Sequence, residues 1–274
     1  MGCDRPGAIN NQWKMTKKNK EYKFRLDGYL QANYDIILNE AIPNDWDGLF
    51  IIHGKEGTGK TTVGTQGCKY MDNDFCMDTV AFLPSQFENM IEKAKPGSSV
   101  IWDEAITGLN AAQWASYISQ IIIKKLTQIR KKKLKIFICF PYLHMINKYI
   151  VSRCIASIYV FSKGFEDRGH AYFYNQEQTE DLYALMKEKY SMTPRKAIAK
   201  AEKAFYFKFN KHFCLPKAEY EKAKDKARKE QPNIDLWKDR FIVAAKMIKE
   251  LNSLPELIKK LGKSKQYIYE LVSQ

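Results

Sequence analysis

Gly54-Lys55-Glu56-Gly57-Thr58-Gly59-Lys60-Thr61 follows the apolar run Leu49-Phe50-Ile51-Ile52. The spacing fits G-x-x-x-x-G-K-[ST], the order of a phosphate-binding loop. A short apolar run reads as a parallel strand buried on both faces. Residues from Thr61 onward continue as a helix. Strand, glycine loop and helix turn backbone N–H groups and a helix N-terminus toward an anion. The residues from Gly54 through Lys55, Glu56, Gly57, Thr58, Gly59, Lys60 and Thr61 to Thr62 are the expected nucleotide cradle. Lys60 would reach the β- and γ-phosphates, and the Thr61 hydroxyl would ligate Mg²⁺. ATP and Mg²⁺ are the expected cofactors. His53, at the strand end, reads as structural.

A second element lies about forty residues on. Ser99-Val100-Ile101-Trp102 is an apolar strand, and Asp103-Glu104 follows it directly. A carboxylate at the carboxyl end of such a strand faces the same crevice as the loop. Asp103 is expected in the Mg²⁺ shell, and Glu104 is expected to orient the attacking water. Glu104 beside Asp103 points to hydrolysis rather than a GTPase-style switch. Phosphoryl transfer asks mainly for positioning and electrostatics, so these few groups suffice.

Further strands are read at Thr79–Leu83, Leu134–Phe140, Ser157–Phe161 and Ala171–Tyr174. Strands alternating with helices predict an α/β fold with a mostly parallel sheet covered on both faces. From Glu177 onward Lys, Glu and Ala dominate and strand signals fade. The reading divides the chain into a basic N-terminal arm (1–45), a phosphate-loop core (46–176), a helical extension (177–232) and a small all-α unit (233–274). In that last unit, Ser253 caps one short helix, Gly262 turns, and Ser264 caps a second. Ile258, Leu261, Ile268 and Leu271 have the spacing of a helix-turn-helix. Lys265, Gln266 and Tyr269 would then face a DNA major groove; the alternative is a helical bundle for subunit contacts.

The formal net charge of +14 favours a polyanionic partner, foremost DNA, over an anionic membrane surface. Lys131, Lys132 and Lys133 crowd the end of an amphipathic helix. They either track a phosphate backbone or complement the helix dipole. The six cysteines form no C-x-x-C pair, so no zinc site is read. The most apolar internal stretch, Leu134–Ile146, is too short to span a bilayer. No secretory signal is visible, and a cytoplasmic setting is expected.

Gly54–Thr61, the Val100–Glu104 strand with its acid pair, and the Arg130–Arg153 region together resemble the additional-strand P-loop ATPases of the FtsK–HerA superfamily. Small Zot-like and virus- or plasmid-encoded packaging ATPases are the most similar flavour. The likeness spans roughly residues 45–230. It implies an oligomeric ring, often a hexamer, that moves DNA through its centre, with Arg130 or Arg153 reaching a neighbour's nucleotide. One departure stands out: the family's polar sensor at the end of the fourth strand is replaced by Phe140-Pro141. Other readings are an AAA+-like replication initiator or helicase loader, a nucleotide-gated DNA-binding regulator with little turnover, and a Zot-type filament-assembly motor.

Overall fold

The strand before the glycine loop lies in the middle of the sheet. In the computed structural model, which describes residues 24–103, 122–125, 127–164, 166–187 and 193–230, β1 runs Gly48–His53 with every residue buried. Its neighbours are β4 (Lys135–Phe140) and β5 (Ala156–Lys163), both parallel to it. Beyond β4 come β3 (Ser99–Trp102) and β2 (Val80–Ala81), again parallel. Beyond β5, β6 (Asp167–Asn175) and β7 (Phe205–Lys208) run antiparallel. The order is β2-β3-β4-β1-β5-β6-β7. The fold is thus α/β with a mostly parallel sheet, as a P-loop arrangement requires, and β4 separates the strand of the glycine loop from the strand of Asp103.

Helices cover both faces. Phe50, Ile52, Ile101, Phe137 and Cys139 point to one core cluster, and Leu49, Ile51, Val100, Trp102, Ile136 and Ile138 to the other. This alternation on strands with both faces buried explains their near-continuous apolar sequences. α1 (Gly28–Ile36) and α2 (Lys60–Met71) lie on the first side, where Tyr34 stacks edge-on against Phe50 and Phe137. α3 (Pro84–Lys93) contributes Phe87, stacked 4.4 Å from Trp102, to the second. A single turn α4 (Lys148–Val151), α5 (Gln176–Lys187) and α6 (Pro194–Lys200) complete that side. α7 (Lys217–Glu230) ends the described chain.

Two boundaries differ from the sequence reading. Residues 24–45 were expected in a basic arm, yet Phe24, Leu26, Leu30 and Tyr34 are buried and Asp27 caps α1. Apolar spacing of four residues carries that helix onto the core despite the basic stretch before it. The extension from 177 supplies β7, and Phe207 from it is 1% exposed. Four residues between lysine-rich flanks are too short a run to announce a strand. The expected strand over Thr79–Leu83 is only Val80–Ala81, because Leu83 starts α3 with Pro84 at its first turn. The helix-turn-helix reading of 233–274 lies outside the described residues.

Candidate functional site

Gly54 leaves β1 with φ 144° and donates its N–H to Pro141 O at 3.2 Å. A Cβ there would meet the Val160 backbone oxygen at 2.1 Å, so only glycine passes between β4 and β5. Gly59, with φ 103°, starts α2, and the Phe209 ring stands over it. Thr58 Oγ1 donates to Lys55 O at 2.7 Å and ties the loop on itself. Lys60 folds its ammonium back onto the loop, donating to Gly54 O at 2.8 Å and Lys55 O at 3.0 Å.

Thr61 Oγ1 donates to Asp103 Oδ1 at 2.9 Å. The two residues expected in the metal shell thus meet, although β4 lies between β1, which leads into the loop, and β3, which ends at Asp103. Their oxygens form the hard donor set that suits Mg²⁺. Lys60, its ammonium held on the loop carbonyls, is the preceding residue in the chain. A cavity of about 1060 Å³ opens here, lined by Gly57–Thr62, Asp103 and residues from the chain's last described third.

That last third was not anticipated at the site. Phe209 and Asn210 follow β7, and Gln66 of α2 donates its amide to Asn210 O, Asn210 Oδ1 and His212 O. α7 then crosses the cavity. Tyr220 Oη donates to Asp103 Oδ2, and Lys224 Nζ donates to the same oxygen at 2.7 Å. Tyr220 is wedged between Phe82 and Phe213 at ring distances of 5.2 and 4.9 Å. Burial, and then the charge of Asp103, push its phenol far above the ordinary range, so it is a neutral donor. The sequence signal for these residues is the four-residue spacing of Tyr220 and Lys224 behind Pro216, which puts both on one helix face.

His53 is buried, and its Nε2 has no hydrogen-bond partner among the described residues. Burial first, then Lys60 and His144, lower its pKa to about 3, so it is neutral beside the loop lysine. Phe140 is buried in the sheet and offers no polar group where a sensor would stand.

The two arginines expected as fingers lie at the opposite edge. Asp47 precedes β1, Arg130 precedes β4 and Arg153 precedes β5, so all three sit at the amino ends of parallel strands. Arg130 Nε and Nη2 donate to Asp47 at 3.1 and 3.3 Å, and Arg153 Nη2 lies 2.5 Å from Asp47 Oδ2. At about 3.3 Å per residue, six strand residues put them roughly 20 Å from their own phosphate loop. Both guanidiniums neutralise a carboxylate whose side chain is 4% exposed. Withdrawing either toward a neighbour would uncover that charge, which is a physical reason to read them as serving the fold.

The basic run is divided in its employment. Lys132 donates to Ile91 O, Glu92 O and Ala94 O at the end of α3, capping its carbonyls. Lys133 takes a left-handed φ of 51° and points to Pro43 O at 3.4 Å. Lys131 is exposed. Lys132 is thus engaged with a helix other than its own, while Lys131 faces solvent. Glu104, Lys265, Gln266 and Tyr269 lie outside the described residues. No helix among the described residues is long and apolar enough to cross a membrane.

No family model matches the chain, and no curated protein matches it. Among solved structures, it is similar to the N-terminal domain of zonular occludens toxin from Neisseria meningitidis. There the TM-score is 0.36 and the identity 14%, over 60% of this chain and 94% of that one. The VirB11 ATPase of the Brucella suis type IV secretion system, in complex with sulphate, is similar at TM-score 0.31 and 10% identity, over 57% and 56% of the two chains. A structure of katanin, described in terms of its self-assembly, follows at 0.34 and 13%, over 76% and 86%. Likeness at this level leaves the geometry of the site as the ground for assigning a function.

Proposed function

We propose that this chain is an ATP hydrolase that works on DNA, as a ring-forming translocation or packaging motor of a virus or mobile element. The observation that carries the nucleotide chemistry is the 2.9 Å contact of Thr61 with Asp103, which joins the glycine loop to the acidic strand. Gly57–Thr62 would cradle the phosphates, Lys60 would neutralise them, and Thr61 with Asp103 would hold Mg²⁺. The metal, when bound, offsets charge on the transferring phosphoryl group. Glu104, next in the chain, would orient water. The net charge of +14 supports a nucleic-acid partner.

A second reading, a nucleotide-gated DNA-binding regulator with little turnover, is favoured by the two α7 donors on Asp103. One measurement separates the two. ATPase rates are taken with and without single- and double-stranded DNA, alongside mass measurement with a nonhydrolysable nucleotide. Stimulated turnover with a ring supports the motor. DNA binding with no turnover supports the regulator, and neither turnover nor nucleotide binding removes both.

A further inference from the structure

α7 is attached to the rest of the molecule by few groups. Tyr220 and Ala227 are its buried side chains, and most of its other positions face solvent. Between these two, on the same face, stands Lys224, with its side chain 18% exposed against a 5% exposed Asp103. With half-buried Ala223, which packs on the same core, the residues obey i, i+3, i+4, i+7 spacing, so one stripe of the helix carries the buried contact.

Asp103 receives three donors in this arrangement. Thr61 takes Oδ1, while Tyr220 and Lys224 share Oδ2. A buried carboxylate needs such partners if no metal supplies positive charge. Lys224 supplies that charge. A divalent cation between Thr61 and Asp103 would meet the ammonium within a few ångströms, where two positive charges in a half-buried cavity repel strongly. Tyr220 and Lys224 also fill the volume beside Oδ2 that a metal's water shell needs. The arrangement does not exclude phosphate by itself: Lys217 and Arg228 also line the cavity, and their charge suits a polyanion.

We propose that α7 is a cation-mimicking latch on the metal site. Lys224 takes the place of the divalent ion, so docking of α7 and binding of metal-loaded nucleotide exclude each other. Metal-free nucleotide leaves the helix in place; the magnesium complex releases it. The proposal rests on the nucleotide reading of Gly54–Thr61.

The test uses the full chain and two readouts. Hydrogen–deuterium exchange follows the amides of 217–230 in the free protein, with ATP plus EDTA, and with a nonhydrolysable ATP analogue plus Mg²⁺. A fluorescent ATP analogue titrated with Mg²⁺ gives the metal affinity of wild type and Lys224→Gln. Faster exchange in 217–230 is expected only with the magnesium complex. Roughly tenfold tighter metal binding is expected for Lys224→Gln, the scale of one charge-assisted hydrogen bond. Tyr220→Phe, which keeps the ring between Phe82 and Phe213, should tighten it less; it stands in if Lys224→Gln does not fold. Exchange in 217–230 that is blind to Mg²⁺, or equal metal affinities in all three proteins, overturns the latch while leaving the nucleotide site intact. No nucleotide binding by any of them overturns both.

Discussion

Thr61 and Asp103 lie 42 residues apart in the chain and 2.9 Å apart in space, joined because α2 packs over β4 and β3. The hydroxyl on the first turn of α2 reaches diagonally across the end of β4 to the carboxylate beyond it. Thr61 and Asp103 would together hold the metal, so either residue alone should control metal dependence.

Thr61→Ala and Asp103→Asn should each lower nucleotide affinity in Mg²⁺ to the level seen in EDTA, a loss of about 10–100-fold on the scale of damaged metal sites. Lys60→Ala should weaken binding with or without metal. Fluorescent-nucleotide titrations in both buffers separate the three. A variant of Thr61 or Asp103 that keeps its full magnesium response contradicts the assignment.

Glu104→Gln should keep nucleotide affinity and lower turnover by about 10²-fold or more, the range of a lost general base. Single-turnover hydrolysis under saturating Mg·ATP is the measurement. Unchanged turnover would take water activation away from Glu104.

The Asp47 cluster yields a stability prediction. Arg130→Ala or Arg153→Ala should each destabilise by about 1–3 kcal/mol, because a buried carboxylate loses one of two guanidinium partners. Denaturant midpoints give the value. Mixing either variant with Lys60→Ala subunits then tests the finger role directly: regained hydrolysis would return that arginine to a neighbour's site.

Much of this site is legible in one dimension because it is local. A glycine loop, an acid pair and their flanking strands each sit within ten residues, and backbone geometry does the rest. What escaped the sequence is held by contacts between distant segments. Phe205-Tyr206-Phe207-Lys208 is a strand because β6 offers it an edge, with Tyr172 opposite Tyr206. Tyr220 and Lys224 look like members of any charged helix until Asp103 is placed beside them. Nothing in the sequence shows that Lys132 reaches the carbonyls at the end of α3. Arg130 and Arg153 share the carboxylate of Asp47, a contact that nothing in the sequence reveals.

His53 predicts a pH dependence. In the unfolded chain a histidine takes up a proton near pH 6.5, but the folded residue does so only near pH 3. Between these values the unfolded state binds the extra proton, so stability falls as pH drops and the loss ends near pH 3. The slope from this group is about 1.4 kcal/mol per pH unit at most. Unfolding free energies at pH 7 and pH 5 should differ less in His53→Gln than in wild type; equal differences would refute the neutral, buried histidine.

Gly54→Ala and Gly57→Ala form a matched pair. Both residues have positive φ, but a Cβ at Gly57 meets nothing within 4 Å, whereas at Gly54 it strikes the Val160 backbone oxygen. Gly57→Ala should cost about 1 kcal/mol of backbone strain, and Gly54→Ala clearly more, since backbone must shift. Thermal melts rank them, and the reverse order would show the loop's exit from β1 to be misread.

α7 has one more consequence, of a mechanical kind. It begins at Lys217, directly behind Pro216, and runs 14 residues, about 21 Å at 1.5 Å per residue. Lys224 lies near its midpoint and Glu230 at its far end. If the helix swings as a rod about Pro216, a shift at Lys224 becomes one roughly twice as large at Glu230. A small movement beside Asp103 would therefore be magnified at Glu230, where the described chain ends.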